Sequence, residues 1–237
     1  MNIDCFFCHQ DFNIENIEEK TVIAIDVLRA TSTIINALDK GAKEVFPIAE
    51  IDDAFALKRL FPDAILSGER KGNIIEGFQF GNSPLEFTCE KIKGKSIISC
   101  TTNGTSAICA AQKADELWLG AVTNTPAVAE KLWAEAKKDV VLLCSGTGGQ
   151  PSLDDVLGAG AIIDHLNLYK SDAKLTDAAK IAYDIYNIYK DDLLSGLKIS
   201  EHGQKLDSLG YKEDVLFCSR LGYNKVVPKL KNDRLLI

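Results

Sequence analysis

Carboxylates, hydroxyls and guanidinium groups gather at a few points of this sequence. Asp26 ends the apolar run Val22 to Ile25, Arg29 follows three positions later, and Thr31, Ser32 and Thr33 come in succession. Ser67-Gly68-Glu69-Arg70, Thr101-Thr102-Asn103-Gly104 and Ser145-Gly146-Thr147-Gly148-Gly149 each follow another short apolar run, and Asp154 and Asp155 open a later helical pattern. Hard oxygen donors of this kind suit magnesium, which takes one or two carboxylates and keeps several waters. Loops leading into helix N-termini hold oxyanions through unpaired N–H groups. Arg29 and Arg70 are placed to clamp a phosphate or carboxylate through paired, charge-assisted bonds. Together these features favour a magnesium-assisted enzyme acting on a small polyanion.

Other phosphate chemistries lack their parts. The sequence has no G-x-x-x-x-G-K-[ST] loop, and Gly146 to Gly149 do not have dinucleotide spacing. Cys100 and Cys144 have no following arginine to close a thiolate phosphatase loop, and Leu28 stands where a haloacid-dehalogenase phosphatase would carry its second acid. The three histidines, His9, His165 and His202, lie off these loops, which leaves little for zinc. Cys5-Phe6-Phe7-Cys8-His9 matches a c-type haem attachment pattern, but it reads better as a first strand with small apolar cysteines.

The elements that must position these residues alternate. Strands are expected at 3–8, 22–26, 44–48, 64–66, 96–100 and 140–144, with further strands at 214–218 and 225–228. Helices are expected from about Thr31 to Gly41, over 51–60 and from Ser83, then after Gly104, near Pro126 and from Ser152. A long helix should cover 173–194 and a short one 201–209. Alternation without hairpin signals argues for parallel sheets flanked by helices, in which ligands sit beyond the carboxyl ends of the strands. Thr105-Ser106-Ala107-Ile108 echoes Thr31-Ser32-Thr33-Ile34, and Glu116-Leu117-Trp118 echoes Glu44-Val45-Phe46. These ordered echoes point to an α/β protein of two similar parallel-sheet halves, 1–94 and 95–237. The 237 residues carry a net charge of −7, which gives nucleic acid or an anionic membrane no electrostatic support. No run approaches a membrane span and no signal segment precedes the first strand, so a cytoplasmic location is expected, in keeping with seven scattered cysteines.

Five blocks, Asp26-Val27-Leu28-Arg29-Ala30-Thr31-Ser32-Thr33, Ser67-Gly68-Glu69-Arg70, Gly81-Asn82-Ser83-Pro84, Thr101-Thr102-Asn103-Gly104-Thr105 and the stretch from Ser152 to Gly160, together resemble the 2-phosphosulfolactate phosphatase (ComB) family. The resemblance runs in order from about residue 20 to 220. It implies a paired α/β fold and a magnesium-dependent phosphatase that hydrolyses 2-phospho-3-sulfolactate to 3-sulfolactate and phosphate, a step of coenzyme M biosynthesis in that family. This chain has Asp154-Asp155 where the family commonly has Glu-Asp, and Gly158 where it often has cysteine. Other phosphorylated 2-hydroxy acids carry similar charges and stay open as substrates.

On that resemblance Asp26, Arg29, Arg70 and Asn103 are expected to be catalytic. Asp26 and Glu69, with Asp154 or Asp155, should hold Mg2+. Thr31, Ser32, Ser67, Asn82, Thr101, Thr102, Gly104, Ser145 and Gly146 should line the substrate. The attacking group is either a metal-bound water or Asp26 itself. Plainer roles stand beside these: Ser152 and Asp155 form a capping-box pattern, and Thr101 to Gly104 can be a turn. Tyr183, Tyr186 and Tyr189 form a stripe that suits a core or a homodimer contact. A non-catalytic anion-binding α/β module is the competing class, with a magnesium-dependent lyase or kinase as a third.

Overall fold

The computed structural model describes residues 1–12, 19–136, 139–169 and 172–237. Among the described residues, eleven strands form one mixed sheet with helices packed on it. The first part of the chain gives β1 (Asn2–Phe6), β2 (Lys20–Ile25), α1 (Ala30–Asp39), β3 (Glu44–Ile48), α2 (Ile51–Leu60), β4 (Ile65–Arg70), β5 (Asn73–Ile74) and α3 (Cys89–Ile92). Next come β6 (Ser96–Cys100), α4 (Gly104–Ala110), β7 (Glu116–Gly120), α5 (Thr125–Glu135), β8 (Asp139–Cys144) and α6 (Leu153–Asn167). The chain closes with β9 (Lys174–Leu175), α7 (Asp177–Tyr189), α8 (Leu193–Ile199), α9 (Glu201–Ser208), α10 (Lys212–Cys218), β10 (Lys229–Lys231) and β11 (Arg234–Leu236).

The strand order is β5-β4-β6-β3-β11-β10-β7-β2-β8-β1-β9. Strands from before and after residue 95 therefore alternate within the sheet. Parallel blocks β4-β6-β3 and β7-β2-β8-β1-β9 are joined by the antiparallel pair β11-β10. The middle strand β2 is apolar on both sides: Val22, Ile23, Ala24 and Ile25 are all buried, as expected where helices cover both faces of a parallel sheet. Ile23 and Ile25 pack with α5 and α6, whereas Val22 and Ala24 pack with α1 and α4. Among the described residues no helix is long and apolar enough to cross a membrane.

The expected strands at 22–26, 44–48, 96–100 and 140–144, and the first helices, lie where the sequence placed them, and several later elements do not. Residues 214–218 form a helix, α10, because Asp214, Val215, Phe217 and Cys218 are buried with Leu216 turned outward, a helical rather than alternating pattern. Residues 225–228 are irregular, and the missed pair β10–β11 follows them. Asn232 and Asp233 both have positive φ, 50° and 60°, the backbone of a two-residue hairpin turn that asparagine and aspartate tolerate. The long helix expected over 173–194 is divided, with Asp192 capping α8 by accepting Ser195 N–H. Ser83 does cap a helical start, but the turn at Pro84–Glu86 is 3-10 and stops there. Glu69 and Arg70 lie within β4 rather than after it, because the chain continues into the β4–β5 hairpin. Tyr186 is buried where α7 crosses Gly160 of α6, and Tyr183 and Tyr189 pack partly buried beside the same core, so the stripe is internal.

Cys5 and Cys8 are buried, and His9 Nδ1 lies 2.6 Å from the Ser145 carbonyl oxygen, so this segment serves as strand and strand exit. The polar link expected over 11–20 lies largely outside the described residues.

Candidate active site

Asp26 is set by a short run of local bonds. Thr31 N–H donates to the Asp26 carbonyl oxygen at 3.0 Å, and Asp26 N–H donates to Thr31 Oγ1, also at 3.0 Å. Ala30 N–H, in the first turn of α1, donates to Asp26 Oδ1 at 2.9 Å. The other carboxylate oxygen faces the start of α4. A Cβ placed on Gly104 would collide with Ala30 Cβ and lie 2.7 Å from Asp26 Oδ2, so glycine is what lets the two helix starts converge on this acid. Oδ2 itself has no hydrogen-bond partner among the described residues.

The acids of α6 reach across to the same segment. Asp155 accepts Val27 N–H at 2.8 Å and Gly146 N–H at 3.0 Å, while Asp154 accepts Leu28 N–H at 3.3 Å and Ser152 O–H at 2.6 Å. The Ser152-x-x-Asp155 pattern is therefore not spent as a capping box; Ser152 makes no side-chain cap bond to a backbone N–H of its helix. Val27 and Leu28, which precede a cis Leu28–Arg29 peptide, are held by carboxylates from a helix 126 to 128 residues away in sequence. Burial raises the Asp26 pKa to about 6; the Asp154 and Glu69 charges add to the rise, and Ala30 N–H and His202 oppose it. Burial, and then the charges of Asp154 and Asp26, push the Asp155 carboxyl well above the usual range. Both shifts have one cause: carboxylates crowded in a place with little water and too little positive charge.

Glu69 and Arg29 close the opposite side. Glu69 Oε1 accepts Thr102 N–H and Thr102 O–H, both at 2.9 Å, and Oε2 accepts Gly72 N–H at 2.7 Å. Burial alone would raise its pKa, but these bonds and the Arg29 charge outweigh it and hold the carboxylate below its usual range. Arg29 is 3% exposed; its Nη1 lies 2.6 Å from Asp214 Oδ2 and its Nη2 3.4 Å from the Gly72 carbonyl oxygen. Tyr211 stacks on the guanidinium with its ring centroid 4.2 Å away. Arg70 is turned elsewhere: it donates to the Glu69 and Ala49 carbonyl oxygens and to Cys100 Sγ.

The remaining expected residues divide between the cluster and its supports. Ser32 O–H bonds the Val27 carbonyl, Thr33 O–H the Asn82 carbonyl and Ser67 O–H the Gly81 carbonyl, all as buried braces. Thr31 Oγ1 also lies 2.8 Å from the Gly120 carbonyl oxygen, and Thr101 is tied to Thr105. Asn103 precedes α4 without a side-chain cap bond. Gly146, with φ of 68°, presents its N–H to Asp155, and Ser145 Oγ is buried with no hydrogen-bond partner among the described residues. Among the described residues no three His, Cys, Asp or Glu side chains are grouped as a ready metal cage. Asp214 and Tyr211, which complete the Arg29 environment, were not singled out from sequence, whereas Ser83 was read as a helix start within a family block and His202, which bears on Asp26, as lying off the site loops. The helical spacing of 214–218 was the one signal for Asp214. The cluster thus joins the exits of β2, β6 and β8, the β4–β5 hairpin and the first turn of α6, an arrangement able to hold a cation and an oxyanion together.

The family model described as 2-phosphosulpholactate phosphatase matches residues 7–233. A protein of Caldanaerobacter subterraneus subsp. tengcongensis named "Probable 2-phosphosulfolactate phosphatase" is 42% identical over 234 residues, which are 98% of this chain and 96% of the relative. Relatives of the same name from Clostridium acetobutylicum, at 40% identity over 100% of both chains, and from Carboxydothermus hydrogenoformans, at 41% over 100% of this chain and 97% of the relative, are equally full-length. The match leaves out only six residues at the start and four at the end, and this chain belongs to the 2-phosphosulpholactate phosphatase family.

Proposed function

We propose that this chain hydrolyses 2-phospho-3-sulfolactate to 3-sulfolactate and phosphate with magnesium as its metal, a reaction that in the family belongs to coenzyme M biosynthesis. The observation that carries this reading is the buried group Asp26, Asp154 and Asp155, in which one Asp26 oxygen has no hydrogen-bond partner among the described residues and burial, with the charges of neighbouring acids, raises the Asp26 and Asp155 carboxyls. Such a donor set fits a hard divalent cation. Because no cage of three acids is preformed among the described residues, the ion would take Asp26 and one neighbour, Glu69, Asp154 or Asp155, and complete its shell with water. Magnesium would supply neutralisation of phosphoryl charge and a more acidic bound water.

The chain's own residues do the positioning, which dominates phosphoryl transfer. Ala30 N–H fixes one oxygen of Asp26 so that the other faces the space beside Gly104. Glu69 pins Thr102 and so sets the turn that carries Asn103. Arg29 brings a desolvated guanidinium to the same side, and each charge-assisted bond it forms to an oxyanion is worth about 1.5–3 kcal/mol. Arg70 is engaged with backbone carbonyls in this state, so a substrate contact from it requires release from Ala49 and Cys100. Phosphate release from 2-phospho-3-sulfolactate, phospholactate and phosphoglycerate, with magnesium and with chelator, tests the reading. Strong, chelator-sensitive release from the first is expected, and ligand binding without release from any of them would favour an anion-binding module. The configuration at phosphorus after turnover of a chirally labelled phosphoester separates the two attacks: inversion marks direct attack by water, and retention marks two displacements through an Asp26 aspartyl-phosphate.

A further inference from the structure

The contacts around Arg29 are more elaborate than an ion pair needs. Its guanidinium is held on an edge by Asp214, on a face by Tyr211 and at Nη2 by the Gly72 carbonyl oxygen. Asp214 is itself fixed, since Ser83 O–H donates to its second oxygen at 2.6 Å. Arg29 and Asp214 are both almost fully buried and come together across 185 residues of sequence. A buried pair of this kind gives little net stability, because desolvating both charges offsets their attraction. What it does give is direction. A planar fork gripped on one edge and stacked on one face has its other N–H groups aimed one way. Glu69, on the site side of this arrangement, feels the Arg29 charge.

We propose that Asp214, itself held by Ser83 and aided by the Tyr211 ring, is the positioning residue that aims Arg29 at the phosphoryl group. The proposal rests on the phosphatase reading and adds to it a residue outside every motif that pointed to the family. Asp214 touches no substrate; it acts through Arg29.

The test compares Asp214→Asn, Asp214→Glu, Arg29→Lys and the double variant Arg29→Lys/Asp214→Asn in the full chain, measuring kcat, KM and melting temperature on 2-phospho-3-sulfolactate. Asp214→Asn should lower kcat per folded molecule by about 10- to 100-fold, the worth of one charge-assisted bond, with KM changed less. Asp214→Glu should recover part of the loss, and the double variant should be no slower than Arg29→Lys alone, because both changes remove one interaction. Losses that multiply in the double variant, or an Asp214→Asn protein that melts lower but turns over at the wild-type rate, overturn the proposal. Should Asp214→Asn not fold, Ser83→Ala frees only one Asp214 oxygen and should give a smaller loss in kcat; an unchanged kcat there counts against the proposal. If the wild type releases no phosphate, the functional reading fails, and calorimetric binding of inorganic phosphate then decides the positioning role. Binding weakened about tenfold or more by Asp214→Asn, equal to one such bond, supports it, and unchanged binding overturns it.

Discussion

Asp26→Asn should make the metal-free protein more stable while abolishing phosphate release. The native Asp26 carboxyl holds its proton up to about pH 6, whereas the unfolded chain releases it near 3.8. Between those values the native state binds more protons, so wild-type stability falls as pH rises through the window and the deficit is complete above it. The two pKa values are separated by an amount equal to about 3 kcal/mol at pH 7. Asparagine cannot ionise and keeps an oxygen for Ala30 N–H, and the charged part of that bond is already contained in the native pKa. The gain of about 3 kcal/mol corresponds to a rise of about 6–12 °C in melting temperature for a chain of this size. At pH 5 the electrostatic part is about half as large, and below pH 4 it nearly vanishes. Thermal melts of both proteins in chelator at pH 4, 5 and 7 measure this directly. A variant that is less stable than wild type at pH 7, or a difference that does not change with pH, would refute the claim that Asp26 is crowded by burial and like charge.

Magnesium should raise the melting temperature of the wild type at pH 7 and leave Asp26→Asn nearly unmoved, as differential scanning fluorimetry with and without chelator would record. Asp155→Ala leaves Val27 N–H and Gly146 N–H buried without an acceptor; at about 1–3 kcal/mol for each group, urea unfolding should show a loss of about 2–6 kcal/mol. Gly104→Ala must displace Ala30 or the Asp26 carboxylate, so kcat should drop steeply while circular dichroism still reports a folded chain. Glu69→Gln should be less stable than wild type at neutral pH. Because the native carboxylate titrates below its ordinary 4.5, that advantage of the wild type is present above this value and lost as pH falls through the lower native one, which denaturant titrations across the acid range would follow.

Sequence carried much of this arrangement because β2 and its exit are local. An unbroken apolar run, an acid at its end and hydroxyls in the following helix turn specify Asp26, Ala30 and Thr31 within six residues. The roles of Asp154 and Asp155 were legible only in part. Serine followed three residues later by an acid is a local capping signal, and nothing local reveals that both carboxylates instead reach Val27 and Leu28 across the fold. Arg70 illustrates the opposite limit: an arginine beside Glu69 has the right chemistry, but strand alternation in β4 sends neighbouring side chains to opposite faces. Asp214 was hidden because Val215, Leu216 and Phe217 suggested a strand, whereas burial of Asp214, Val215, Phe217 and Cys218, three and four positions apart, marks a helix face. The β10–β11 pair escaped because its turn residues, Asn232 and Asp233, follow strands of only three residues.

The central claim is that a cluster of acids short of positive charge works with a cation on a phosphate ester. Steady-state phosphate release from 2-phospho-3-sulfolactate by the wild type and Asp26→Asn, each in magnesium and in excess chelator, tests it most directly. Turnover is expected only for the wild type with magnesium. Equal turnover in chelator, or undiminished turnover by Asp26→Asn, would contradict it.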